Sequence, residues 1–497
     1  MDLLKRFVSP AFFAVVFLLS FPAHAELSLD KKLTQKEILA DLTQLTKLLK
    51  SIHPNLYAHR SPKQMARLHK SIRSKVPKAG GTLLDAFIPI QQTLAAVCDG
   101  HTAAAYENFV VPQNLFKSGF FAQSILVRGT DAYLDDGIAP KKIVRIGDKT
   151  GSQIADFFRS MTHLDGCTDK QTLTSNFQSF PASLALGRWL DIGNNTDIQV
   201  ANRFSDDAPP STSRAVNGNI YSLINPRTWS ASLSPTKVLA NNGFELFRWQ
   251  SSGEGMVRSF VNKEKGIFYI SVDHFLGGKL QMKETNRIVR EIIASKPNHV
   301  ILDLTSNPGG AIEVSSHLAS YFLKTSHRPA SFIRMKNIKL PNAKIFEWTD
   351  QDRKRGFLAA RKFFKRVPLR RGFRKARWAQ RSFGNPSYNG PMTILLSPKS
   401  RSASIVTSWI LQQKRKAKVV GVSTAQFTKT SCWAAPGTYK LKNSGIKVAI
   451  PYACFDRTRI RNNNGGKLKI DVPVEFKATQ NLIGNIVQKG IEHALPN

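Results

Sequence analysis

Residues that could do chemistry stand out first in the stretch Thr393–Gly421, TILLSPKSRSASIVTSWILQQKRKAKVVG. Thr393–Leu396 reads as a buried strand and Ser397–Ser404 as a small, hydroxyl-rich turn. Ile405–Gln413 reads as an amphipathic helix and Ala417–Gly421 as the next strand. A serine between a buried strand and a helix N-terminus sits where backbone N–H groups and the helix dipole favour a developing oxyanion. The same pattern also fits a capped helix in any α/β protein, because Ser is a favoured N-cap. A second stretch, Val300–Gly310 (VILDLTSNPGG), is a buried strand ending in an Asn-Pro-Gly-Gly turn. Glycine there lets the backbone approach a ligand closely. A third is CDGHT, Cys98–Thr102. Taken alone, its His101 reads as a surface or turn residue.

Together the first two stretches resemble the C-terminal processing (tail-specific) serine peptidase family. In that family a strand ending in D-L-R-x-N-x-G-G precedes a strand–turn–helix of the form S-A-S-A-S-E. Here these read DLTSNPGG (Asp303–Gly310) and SRSAS (Ser400–Ser404), with Ser402 in the nucleophile's position. Ile405 replaces the usual Glu, and VGVST (Val420–Thr424) lacks the Glu of V-G-E-x-T. The bacterial tail-specific branch uses a Ser–Lys dyad, but Phe427 holds the position of that Lys, and Lys429 nearby carries no matching motif. The tricorn-like branch instead takes a His from the N-terminal region, which D-G-H-T marks in its secreted relatives. The resemblance therefore implies His101 as general base, accepting the proton that makes a serine hydroxyl nucleophilic. It also implies an oxyanion hole from the backbone N–H groups of Gly310 (with Gly309 as the alternative) and Ala403. For the group that orients the imidazole, relatives use a Glu beyond the serine. That window here holds Asp456 (ACFDRTR) and Asp471 (KIDVPVE). Asp471 fits the segment closing the catalytic domain, which leaves Asp456, although an Asp before Arg457 is also what a salt-bridged strand end looks like. Asp99 stands too near His101 in sequence to be the obvious orienter.

The elements that must position these groups follow along the chain. Thr34–Ile52 places apolar residues at helical spacing behind a capping box of Thr34 and Glu37. HPNLY (His53–Tyr57) breaks it, and Lys63–Val76 and Leu83–Val97 continue helically to CDGHT. Ile138–Gly151 followed by a helical Ser152–Met161 resembles the family's PDZ-like element, with an ordinary β-rich connector as the alternative. Asn194–Asn219 is rich in Asn, Asp, Ser and Pro and reads as loops. Gly266–Phe275 and Val300–Leu304 read as strands around a helix Met282–Ser295, with Ala311–Phe322 and Ala478–Leu495 as further helices. This alternation argues an α/β core, and the resemblance implies a ClpP/crotonase-like catalytic domain.

Composition sets the remaining bounds. Lys5 and Arg6, the apolar run Phe12–Phe21 and Ala-His-Ala ending at Ala25 have a signal peptide's three parts. No other stretch of about 20 apolar residues follows, so no transmembrane segment is expected after its removal. A periplasmic or secreted location is expected. Four cysteines, Cys98, Cys167, Cys432 and Cys454, permit two disulfides there, with the short Cys432–Cys454 span the favoured pair. No C-x-x-C or H-x-x-x-H spacing supports a metal site, and no cofactor is expected. The net charge is +38, from 72 Lys+Arg against 34 Asp+Glu, and much of it lies in Arg353–Arg381, where basic residues interleave with Phe and Trp. That segment suits either an anionic surface or polyanion, or a merely solvated basic insertion, and no nucleic-acid-binding motif accompanies it.

The expected organisation is a signal peptide (1–25), an N-terminal helical region carrying DGHT (26–112), a PDZ-like or β-rich element (113–165) and a connector (166–260). A catalytic domain (261–475) with a basic insertion (350–382) and a C-terminal helix (476–497) complete it. The expected function is a serine endopeptidase acting on protein or peptide substrates through an acyl-enzyme. The alternative is a catalytically inactive relative that binds peptides or polyanions.

Overall fold

A computed structural model describes residues 27–105, 109–110, 124–135, 141–162, 166–167, 174–175, 180–190, 197–201, 211–214, 235–252, 255–275, 278–324, 332–335, 388–422, 430–434, 437–451, 453–456, 468–475 and 482–495. The expected signal peptide and the basic segment Arg353–Arg381 lie outside the described residues. No helix among the described residues is long and apolar enough to cross a membrane.

A seven-stranded mixed sheet carries the C-terminal half. Its order is Glu245–Ser252, Gly255–Asn262, Ile267–Val272, His299–Asp303, Met392–Leu396, Lys418–Gly421 and Val472–Pro473. The first three strands pair antiparallel and the remainder parallel. Parallel strands need both faces covered, and the residues alternate accordingly. Phe268, Ile270, Val300, Leu302, Ile394 and Val419 face the helices Gly278–Ala294, Ile312–Ser320 and Ala403–Arg415. Tyr269, Ile301, Leu395 and Val420 face the helices Pro235–Asn241 and Leu482–Ala494. The sheet begins at Glu245, inside the stretch expected to be connector. Glu245–Ser252 and Gly255–Asn262 form a hairpin on its antiparallel edge.

The N-terminal region forms three helices, Gln35–Ile52, Pro62–Ser74 and Leu83–Ala95, each opened by a capping box: Thr34 with Glu37, Ser61 with Gln64, and Thr82 with Asp85. They share a core with a second, antiparallel sheet whose main path runs Thr174–Ser175, Ser124–Arg128, Asp131–Asp135, Lys141–Ile146, Asp197–Val200 and Ser211–Arg214. Helix Gly151–Met161 packs on it. The expectation of loops across Asn194–Asn219 is corrected here, because two of these strands lie within it. The polar flanks hide a short period-two signal: Ile198 and Val200 are buried while Gln199 between them is half-buried.

The hairpin Gly437–Lys440 and Lys447–Ile450 joins the two halves. Its second strand pairs antiparallel with Ala103–Ala105, directly after the DGHT segment. Tyr439, Leu441, Ile446, Val448 and Ile450 enter the N-terminal core. Both disulfides are formed, Cys98–Cys167 and Cys432–Cys454.

Candidate active site

Ser402 sits at the joint between strand Met392–Leu396 and helix Ala403–Arg415. Its φ of 51° and ψ of −117° lie outside the regions that L-residues favour. It occupies the N-cap position yet makes no side-chain capping bond. Such a conformation costs about 1–3 kcal/mol and persists only where its surroundings over-determine it. The neighbouring serines do that. Ser400 Oγ donates to Leu304 O at 2.8 Å and accepts from Ser397 N at 2.9 Å. Ser397 Oγ donates to Thr305 O, and Ser404 Oγ to Asn307 O at 2.9 Å. Arg401 N also donates to Asn307 O, at 3.2 Å. The hydroxyl-rich turn is thus stitched to the Asp303–Gly310 turn by three of its serines, while Ser402 projects from it.

The glycine turn is held in the same way. Asp303 accepts from Tyr269 OH at 2.6 Å and from Thr305 N at 2.8 Å. Asn307 Nδ2 donates to Val272 O at 2.9 Å. Gly309 N–H is committed to Asn307 Oδ1 at 2.8 Å. The N–H groups of Gly310 and Ala403 have no hydrogen-bond partner among the described residues. Gly309, at φ +104°, packs against Ser402: a Cβ there would lie 2.7 Å from Ser402 Cβ, 2.8 Å from Arg401 O and 3.0 Å from Ala403 N. A Cβ on Gly310, at φ +131°, would meet the backbone of Phe275 at 2.6 Å. The two glycines are therefore required by close backbone approach as well as by their positive φ.

His101 arrives from the other half of the molecule. Its Nε2 lies 3.2 Å from Ser402 Oγ across 301 positions of sequence. Its loop is fixed by the Cys98–Cys167 disulfide on one side and the Ala103–Ala105 strand on the other. Asp99 Oδ1 accepts the backbone N–H of His101 at 3.1 Å and lies 3.9 Å from His101 Nδ1. Asp99 Oδ2 accepts from Thr102 Oγ1 and lies 3.0 Å from Nε2 of His53. Burial by itself would push the Asp99 carboxyl up, but the imidazoles of His101 and His53 outweigh it and hold it well below the usual carboxylate range.

Ser402, His101, Gly310 and Ala403 are thus brought to one place, and Asp99 is the carboxylate that accompanies them. Asp456 ends the strand Ala453–Asp456, with its side chain outside the described residues. Asp471 receives Val419 N at 3.0 Å and Gln412 Nε2 at 2.8 Å, so it ties helix to sheet. Ile405 and Val422, where the family pattern has Glu, are buried apolar packing residues. The site members that sequence reasoning missed are His53 and the scaffold serines Ser397, Ser400 and Ser404. His53 had a signal in the H-P-x-L-Y break, but nothing local pairs it with Asp99. Cys432 Sγ, His53 and Asp99 place ligand-type atoms within 4.8 Å of one another. The sulfur is bonded to Cys454, so it is not the thiolate a metal would require.

Comparison with known proteins agrees with this architecture. Residues 266–474 match Peptidase family S41. A crystal structure of a CPAF mutant superposes with a TM-score of 0.58 at 12% identity, covering 93% of this chain and 96% of that one. Mature CPAF complexed with lactacystin gives 0.54 at 12% identity, covering 93% and 98%. No curated protein matches the chain in sequence. The chain has the mixed helix–sheet fold of these structures, and the family match over residues 266–474 supports a serine-type peptidase, a hydrolase.

Proposed function

We propose, from the match of residues 266–474 to Peptidase family S41, that this chain hydrolyses peptide bonds of protein or peptide substrates through an acyl-enzyme on Ser402. The observation that carries the reading is the 3.2 Å approach of His101 Nε2 to the hydroxyl of a serine held at φ 51°. Ser402 Oγ attacks the carbonyl carbon as its proton passes to His101 Nε2, and the carbonyl oxygen becomes the oxyanion. The N–H groups of Gly310 and Ala403 receive that charge. Losing one such donor typically costs about 3–4 kcal/mol of transition-state stabilisation. Collapse breaks the C–N bond, and His101 returns the proton to the leaving amine. Water then loses a proton to His101 and attacks the acyl carbon, which releases the carboxylic acid and regenerates Ser402. The catalytic domain is of the ClpP/crotonase-like type on this reading, the element over 113–165 with its helix Gly151–Met161 is PDZ-like, and the enzyme works in the periplasm or after secretion.

Labelling of the purified mature protein by a fluorophosphonate probe tests the reading, with Ser402→Ala and His101→Ala as controls. Labelling that both substitutions abolish, with circular dichroism unchanged, is the expected result. Folded wild-type protein that never labels would instead favour an inactive relative that binds peptides.

A further inference from the structure

Behind His101 lies a buried polar chain that the acyl-transfer scheme does not use. His53 sits at the C-cap of the first helix, and its side chain is almost wholly enclosed. Asn55 N–H donates to His53 Nδ1 at 3.2 Å, so Nδ1 carries the lone pair and Nε2 carries the proton. The Nε2–H then donates to Asp99 Oδ2 at 3.0 Å. The hydroxyl of Thr102 donates to the same oxygen. Asp99 Oδ1, held by the backbone N–H of His101, is left facing His101 Nδ1 at 3.9 Å. Oδ2 thus accepts from two donors and Oδ1 from one, and the carboxylate cannot rotate away from the imidazole without breaking a buried hydrogen bond.

We infer that Asp99 is the positioning carboxylate of His101 and that His53 is the residue that holds Asp99 in place. The inference rests on the serine-peptidase reading above. For Nε2 of His101 to take a proton from Ser402, its Nδ1 must carry one, and a fixed carboxylate opposite Nδ1 selects that tautomer. It also stabilises the imidazolium that forms after the transfer. The separation of 3.9 Å is long for a hydrogen bond, and catalytic contacts of this kind shorten when substrate binds. The other groups around the carboxylate do not replace this function. His59, which senses the Asp99 charge, is held below its usual range, mainly by burial. The sulfur of Cys432 is closed in its disulfide. Proximity in sequence, which argued against Asp99, is what the Asp-Gly-His turn exploits: the loop folds back so that residue 99 faces the ring of residue 101.

Two measurements on the full mature chain test this. In a Ser402→Ala background, selectively labelled histidine gives the His101 titration midpoint by NMR. Asp99→Asn, which removes the facing charge, is expected to lower that midpoint by about 1–3 pH units. In the Ser402-containing protein, the fluorophosphonate labelling rate is followed against pH. Asp99→Asn is expected to lower the plateau by about 10²–10⁴-fold and to move the profile to lower pH. His53→Leu, which removes the donor to Asp99, is expected to cut the rate by about tenfold or more, and His53→Gln, which restores an N–H donor, to recover part of it. An unmoved His101 midpoint in folded Asp99→Asn protein overturns the inference. So do rates that fall equally at every pH with no rescue by Gln, the mark of a merely structural role. A wild type that fails to label would count against the peptidase reading alone, because the NMR midpoint still decides whether Asp99 governs His101.

Discussion

Gly309→Ala is the sharpest perturbation of this site, because its effect can be worked from the backbone. An ordinary contact begins at 3.4 Å, and the new Cβ would lie 2.7 Å from Ser402 Cβ, so Ser402 must retreat by about 0.7 Å (3.4 − 2.7). The other close atoms, Arg401 O at 2.8 Å and Ala403 N at 3.0 Å, are backbone and cannot swing aside. One of them carries the N–H assigned to the oxyanion. A misplacement of about 1 Å can cost on the order of 10²-fold in rate, so a loss of roughly 10–10²-fold in fluorophosphonate labelling is expected. The φ of +104° adds about 1–3 kcal/mol of backbone strain. The thermal midpoint should therefore fall as well, without loss of the folded state. The labelling rate and a melting curve measured on the same preparation separate the two effects. A Gly309→Ala protein that labels at the wild-type rate would refute the claim that this glycine sets the distance between the two turns.

Two further outcomes follow from the same structure. Replacing Cys98 and Cys167 by Ala should destabilise the protein by about 4 kcal/mol and replacing Cys432 and Cys454 by about 3 kcal/mol, because the closed loops span 69 and 22 residues; denaturant unfolding of the two double variants checks the order. His299, buried against Thr393 and facing His493 and Arg415, is pushed down to about 4, chiefly by burial. It thus binds its proton more weakly in the folded chain than in the unfolded one. Its contribution to stability is complete above about pH 6.5 and is lost as pH falls toward 4, amounting to about 2 kcal/mol after allowance for partial solvent access. Melting curves at pH 7 and pH 5 should differ less for His299→Gln than for wild type.

How much of this was legible beforehand depended on whether the signal was local. The parallel strands and the helices beside them were legible because period and burial agree: Val300–Leu302 and Ile394–Leu396 are continuous apolar runs, as strands covered on both faces must be. The capping box at Thr34 and Glu37 was legible because both partners lie within one turn. Ser402, His101 and the Gly-Gly turn were legible only through motif resemblance, since nothing in composition says that residues 101 and 402 meet. The strands at Asp197–Val200 and Ser211–Arg214 were hidden because only Ile198 and Val200 carry the apolar alternation, inside a stretch of Asn, Asp, Ser and Pro. The bond from His53 to Asp99 joins residues 46 apart through the fold, and no spacing rule reaches across such a distance.

The proposed nucleophile Ser402 and the proposed base His101 come from different halves, so the site depends on what docks them. Asp41, buried on the first helix, accepts Asn443 N at 3.0 Å, Asn443 Nδ2 at 2.8 Å and Ser444 N at 2.7 Å. These atoms belong to the turn of the hairpin whose second strand pairs with Ala103–Ala105. Asp41 therefore fixes the hairpin, the hairpin fixes the strand, and the strand fixes His101 two residues before it. Asp41→Ala would leave the buried Ser444 N–H and the half-buried Asn443 N–H without their acceptor, at about 1–3 kcal/mol for the buried one and less for the other. The strands of the seven-stranded sheet and their covering helices would keep their own core. Labelling of Ser402 in Asp41→Ala should then fail on heating before the bulk secondary structure melts, whereas in wild type the two losses should coincide more closely. Coincident losses in both proteins would mean that the halves unfold as one unit, and that the hairpin does not set the stability of the site.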